Sequence, residues 1–105
     1  MRKLDTARES EGTRTPEQAF GANLRRMRLK RGLSQQGLAD KSGYHRTYIG
    51  LLERGQKSPS LRTIWNIAIV LQAKPSEMLK RVERLVGRAE GQEKWGSSPD
   101  PRRRH

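Results

Sequence analysis

The chain has 105 residues, of which 31% are hydrophobic and 32% charged, with no cysteine and a net charge of +12. That length allows one domain with a small core, and the missing cysteine excludes disulfides, thiolate nucleophiles and Cys-based zinc sites. His45 and His105 are too few and too far apart to mark a metal site, and without an apolar run of membrane-spanning length or a signal-peptide pattern a cytoplasmic protein with no membrane partner is expected.

Residues 1–14 are polar and aperiodic and are read as a disordered tail. A folded domain is expected over 15–87. It opens on Thr15, Pro16, Glu17 and Gln18: an N-cap, a proline suited to the first helical position, and a glutamine able to close a capping box. Phe20, Leu24 and Met27 follow on one helical face, with Arg25, Arg26, Lys30 and Arg31 opposite. Gly32 is expected to stop this first helix in a left-handed cap. Ser34 caps a second helix that runs roughly to Lys41, with Leu38 and Ala39 pointing inward. Gly43 supplies the positive φ of a sharp turn. A third helix spans about 45–54, with Ile49 and Leu52 inward, and Gly55 ends it. Two short helices around a tight turn form a helix-turn-helix layout.

Ser60 caps a fourth helix whose Leu61, Ile64, Ile67, Ala68 and Leu71 make a wide apolar stripe. Pro75 opens a fifth, in which Met78, Leu79, Val82, Leu85 and Val86 repeat at helical spacing. From 88 onward Gly, Ser, Pro and charges dominate, ending in Arg102, Arg103, Arg104 and His105, a segment read as a disordered basic tail. The whole reads as an all-α, compact five-helix bundle. Between 16 and 87 stand fourteen basic and five acidic residues. Most of the positive excess therefore lies on the folded part, as a phosphate-facing surface requires. Anionic membrane is the poorer partner, because no helix joins a broad apolar face to a basic one.

The stretch from about Phe20 to Leu79 resembles the phage-repressor/Cro-type, or XRE-like, helix-turn-helix regulators, whose fold is that of lambda repressor-like DNA-binding domains. The residues that carry the resemblance are Gly32 to Gln35, Leu38 and Ala39, Gly43, Tyr48 and Ile49, Leu52 to Gly55, Pro59 to Leu61, Ile67 and Ala68, and Pro75 to Leu79. It implies that the third helix enters the major groove of DNA. Arg46, Thr47, Gly50 and Leu51 then fall at base-reading positions. Arg46 can donate two bonds to guanine O6 and N7, or hold a phosphate instead. Gln35, His45, Tyr48, Arg54, Lys57, Ser58 and Ser60 fall at phosphate-contacting positions, the loop residues beside a helix N-terminus that attracts anions. Arg28 and Glu53 match a pair that bridges the first helix to the end of the third. Departures from the family pattern are Gly37, which weakens the second helix by up to ~1 kcal/mol, Gln72 in place of a glycine, and Lys74 in place of a capping Ser or Thr.

Trp65 and Ile69 lie four apart beside the stripe of the fourth helix. They are read either as core filling or, with Val82 and Leu85, as a homodimer interface. The function expected is a homodimeric repressor reading a palindromic site in double-stranded DNA. The other reading is an antitoxin or transcription-bridging module that uses the same fold to hold a protein partner. An enzyme is not expected, because no nucleophile elbow, phosphate-cradling loop or paired carboxylates occur, and neither a cofactor nor a metal is expected.

Overall fold

The helices that begin after Thr15, Ser34 and Ser60 are each capped by that residue's side chain. In the computed structural model, which describes residues 14–86, α1 spans Pro16–Lys30. Thr15 accepts from the Gln18 N–H, and the Gln18 side chain accepts from the Thr15 N–H, so the capping box is complete. α1 ends in a Schellman closure: Gly32 sits at φ 72°, its N–H donates to the Leu29 carbonyl, and the Leu33 N–H donates to that of Arg28. α2 follows over Gln35–Ser42, α3 over Arg46–Glu53, α4 over Leu61–Leu71 and α5 over Pro75–Val86. The result is all-α, five helices among the described residues. The two expected tails, with the arginines at 102–104, lie outside those residues.

The core is built from one face of every helix. Leu24, Leu38, Ile49, Leu52, Ile67, Leu71 and Met78 are all essentially sealed from solvent. Asn23 is buried among them and satisfied at both ends. Its Nδ2 donates to the Met78 carbonyl at 3.2 Å, and its Oδ1 accepts from Arg26. That bond fastens α1 to α5.

Three apolar expectations change. Leu61, at the head of the α4 stripe, is 73% exposed, and Leu79 on α5 is 42% exposed. Both lie at the edge of their helical stripe, where the wheel pattern cannot say how far the neighbouring helix reaches. Leu85, expected on a dimer surface, is instead buried with Ala19 and Val86 in a small second cluster, because α5 lies along α1. The departures at Gly37, Gln72 and Lys74 also gain structure. A Cβ on Gly37 would lie 3.2 Å from the Ser34 hydroxyl, the group that accepts the Gly37 N–H and caps α2. Gln72 closes α4 in the left-handed region, φ 57°, a conformation that costs a non-glycine residue roughly 1–2 kcal/mol. Lys74 serves α5 through its backbone carbonyl, which accepts from the N–H groups of Glu77 and Met78.

The crossing of α1 over α3 depends on Gly21. A Cβ there would stand 2.5 Å from the Glu53 carbonyl oxygen and closer still to that of Leu52. Both obstacles are backbone, so neither can swing away. Gly21→Ala is therefore expected to destabilise the fold by about 1–3 kcal/mol, the ordinary cost of overpacking, read as a lower urea midpoint with an unchanged slope. An unaltered midpoint would show that the two helices separate freely.

Candidate nucleic-acid interface

The turn between α2 and α3 presents the candidate reading helix. Ser34 caps α2 by accepting the Gly37 N–H, and Gly43 closes it at φ 81°. The chain then reverses, and His45 takes the N-cap of α3 without a side-chain cap bond. Helix α3 thus begins at Arg46, one residue later than the sequence indicates, because His45 keeps extended dihedrals. Arg46 and Thr47, in the first turn, are exposed beside His45, and Leu51 one turn on is half-buried.

Gly50 departs from its expected place at a base-reading position. It is buried. A Cβ there would lie 3.3 Å from Arg54 Nη1 and 3.8 Å from Gln35 Oε1. The missing side chain thus makes room for two protein groups rather than for an approaching base.

What fixes the pose of α3 is a charged cluster behind it. Arg28 donates to both carboxylate oxygens of Glu53, Nε to Oε2 at 2.6 Å and Nη2 to Oε1 at 3.0 Å. Gln35 Nε2 donates to the same Oε1 at 3.0 Å, and Arg28 Nη1 donates to the Leu33 carbonyl at 2.9 Å. Three helices thus meet on one carboxylate, and the α1–α2 turn joins them through Arg28. The hydrogen bond to Glu53 raises the Arg28 pKa above its ordinary range; burial opposes this, and the Glu53 charge adds to the rise. Gln35, a candidate phosphate contact, is therefore held by Glu53 at the head of α2.

The second edge of the candidate interface is the loop into α4. Ser60 caps α4 by accepting the Thr63 N–H, and its hydroxyl donates to Thr63 Oγ1 at 3.0 Å. The Tyr48 hydroxyl lies 3.1 Å from the same Thr63 oxygen. The Tyr48 and Ser60 hydroxyls, both expected at phosphates, thus belong to one chain of hydroxyls through Thr63. When Thr63 is the donor toward Tyr48, the phenolic O–H remains available to an outside acceptor. The Tyr48 ring packs against Tyr44 at 5.3 Å, and Tyr44 in turn accepts from Asn66. Thr63 is the participant that the sequence reading missed. Its signal was its place three residues after an N-cap serine, where the backbone N–H is the one the cap accepts. Lys57 and Ser58 are exposed, and Arg54 donates to the Gln56 side chain at 3.2 Å.

A different surface lies on α4. Leu61, Trp65 and Ile69, each four residues apart, are 73, 51 and 64% exposed and form one outer stripe. Val82 is half-buried between the two core clusters. No helix among the described residues is long and apolar enough to cross a membrane, and no group of three or more His, Asp or Glu there is placed to hold a metal ion.

The HTH_3 helix-turn-helix family model matches residues 24–78. The control protein C.BamHI of Bacillus amyloliquefaciens is 41% identical over 61 residues, 57% of this chain and 75% of that one. Among solved structures, the restriction-modification controller protein C.AhdI of Aeromonas hydrophila is 44% identical, with a TM-score of 0.57 over 58% of this chain and 92% of that chain. SinR, the master regulator for biofilm formation, solved in complex with DNA, is 26% identical, with a TM-score of 0.55 over 57% of this chain and 97% of that chain. The chain belongs to the HTH_3 helix-turn-helix family and is an XRE-like DNA-binding protein of transcription regulation.

Glu53→Ala would leave the Arg28 guanidinium buried without its counter-charge. The expected loss of stability is about 3–5 kcal/mol, measured by chemical denaturation. A loss well below 1 kcal/mol would mean that water enters and replaces the carboxylate.

Proposed function

We propose that the protein is a homodimeric repressor that reads a palindromic operator in double-stranded DNA. Half-sites would lie about one helical turn apart, ~10 bp. The observation that carries this reading is the exposed first turn of α3, with Arg46 and Thr47 facing out while the rest of the helix is anchored from behind by Glu53. Arg46 takes the base-reading role through a bidentate contact to guanine, and Thr47 touches a neighbouring base edge or thymine methyl. Leu51 contributes apolar contact at the edge of the reading face. Gln35, His45, Arg54, Lys57 and Ser58 hold phosphates on either side, with Tyr48 and the N-terminus of α4 at Ser60 forming one further anion contact. Two protomers would pair through Trp65 and Ile69, with Leu61 extending the stripe and Val82 beside it. The likeness to SinR, whose structure holds DNA, and to the restriction-modification controllers supports the same assignment. Such a protein works in the cytoplasm, on the nucleoid.

The exposed Trp65 stripe also favours a second reading, in which an antitoxin or bridging protein docks a different partner there. Sedimentation decides between the two. A homodimer that Trp65→Ser and Ile69→Ser together convert to monomer supports self-association. A monomer at every working concentration removes it.

Selection of bound duplexes from a random pool by the full chain is expected to return a palindrome. Arg46→Ala should then weaken binding to that palindrome by about 1–3 kcal/mol and relax one base position. Equal losses on selected and scrambled duplexes would overturn the base-reading role.

A further inference from the structure

A cleft of about 580 Å³ lies between the C-terminal half of α1, the α4–α5 turn and α5. Arg26, Lys30 and Arg31 on its α1 side and Lys80 and Arg84 on α5 line it with one carboxylate, Glu77; Arg81, also in its wall, has a partner of its own. None of its walls comes from α2, α3 or the loop 54–60, the elements that carry the candidate DNA contacts. Like charges gathered in one hollow repel each other and work against the compact state. Their convergence is explained when an anion of several charges enters.

Two of these cations are already oriented. Arg26 is held by Asn23 Oδ1 through Nε at 3.2 Å and Nη2 at 2.9 Å, and Arg31 Nε donates to the Leu71 carbonyl at 2.9 Å. Each guanidinium has five N–H donors and so keeps others for a ligand. Lys30 and Lys80 are exposed at the cleft from opposite walls. The second observation is Gln72. It lines the same cleft and occupies the left-handed region that Gly32, Gly43 and Gly55 occupy at the other positive-φ positions. Glycine there would be free of strain, yet this position carries a side chain with an amide donor. Met27, Leu71 and Ala73 give the cleft an apolar portion, which bare phosphate would leave unused but a heterocyclic ring would cover.

We propose that this cleft binds a nucleoside di- or triphosphate, its phosphates on the cations of α1 and α5 and on the Gln72 amide, its base over Met27 and Ala73. The site does not depend on the DNA-reading role of α3, and a nucleotide held there sits against α5, which packs on α4.

The test is calorimetric titration of the full chain with ADP, without DNA and at near-physiological salt, with tripolyphosphate and sulfate as controls. One ADP per chain is expected, bound more tightly than tripolyphosphate, with no saturable heat from sulfate. Lys80→Ala combined with Arg84→Ala should weaken ADP by about tenfold or more, since charge-assisted contacts are lost. Gln72→Gly should raise the melting temperature by relieving the left-handed strain and weaken ADP nonetheless, a combination that a purely structural glutamine would not give. Arg46→Ala should leave ADP affinity unchanged. No saturable heat with ADP, loss of binding in Arg46→Ala, or α5 variants that lower only the salt dependence of DNA binding would each overturn the proposal. The last of these would make the cleft a DNA-backbone contact.

Discussion

The Glu53 carboxylate is the point on which the rest of the structure depends. It is buried, it receives two bonds from Arg28 on α1, and it receives one from Gln35 on α2. Removing two charges from water is costly, and a buried pair repays that cost only when its geometry is complete. Here the fork of the guanidinium matches the carboxylate, the third bond fills the same oxygen, and the remaining Arg28 nitrogen is satisfied by the Leu33 carbonyl. The two parallel bonds of the fork add geometric specificity to the α1–α3 contact, beside the close backbone approach at Gly21, and in that pose the first turn of α3 is held out to solvent.

Around that pin the helices approach closely enough to need two glycines. Gly21 admits the last carbonyls of α3, and Gly55 lies against Gln18, the same residue that closes the α1 capping box. Gly50 has another task, leaving room beneath Arg54 and beside Gln35. The order of causes runs from backbone to function: glycines permit the approach, the ion pair selects one pose within it, and that pose exposes Arg46 and Thr47. A helix of eight residues has little stability of its own in water. The orientation of α3 is therefore a property of the packing and not of its sequence.

Three areas of the described surface differ in chemistry. The first turn of α3 and the loop into α4 are polar and cationic, backed by the Ser60, Thr63 and Tyr48 hydroxyls. The outer stripe of α4 is apolar. The hollow between α1 and α5 is cationic with an apolar portion. α4 links the first two, since its N-terminus belongs to the candidate DNA-facing edge while Trp65 and Ile69 lie on its outer side. A partner seated on the stripe would thus act on a helix whose cap also shapes the reading surface.

Sequence alone determined the five helices and the starts of α1, α2 and α4, because caps are local. A serine or threonine accepts an N–H three residues on, and a glycine adopts positive φ, whatever the rest of the chain does. The inward faces of α2 and α3 were legible for a similar reason: apolar spacing follows the helical period. Family resemblance carried the pairing of Arg28 with Glu53, which no local pattern contains. Tertiary structure alone decided the rest. Leu85 is buried because α5 happens to lie along α1, and Leu61 is exposed because it falls on the outer side of α4 with Trp65 and Ile69. Gly50 faces the protein because Gln35 and Arg54 converge above it, and the Tyr48 hydroxyl is engaged because Thr63 arrives from another helix. Each of these depends on where a second element ends in space. Residues four apart in sequence fix only their own face of one helix.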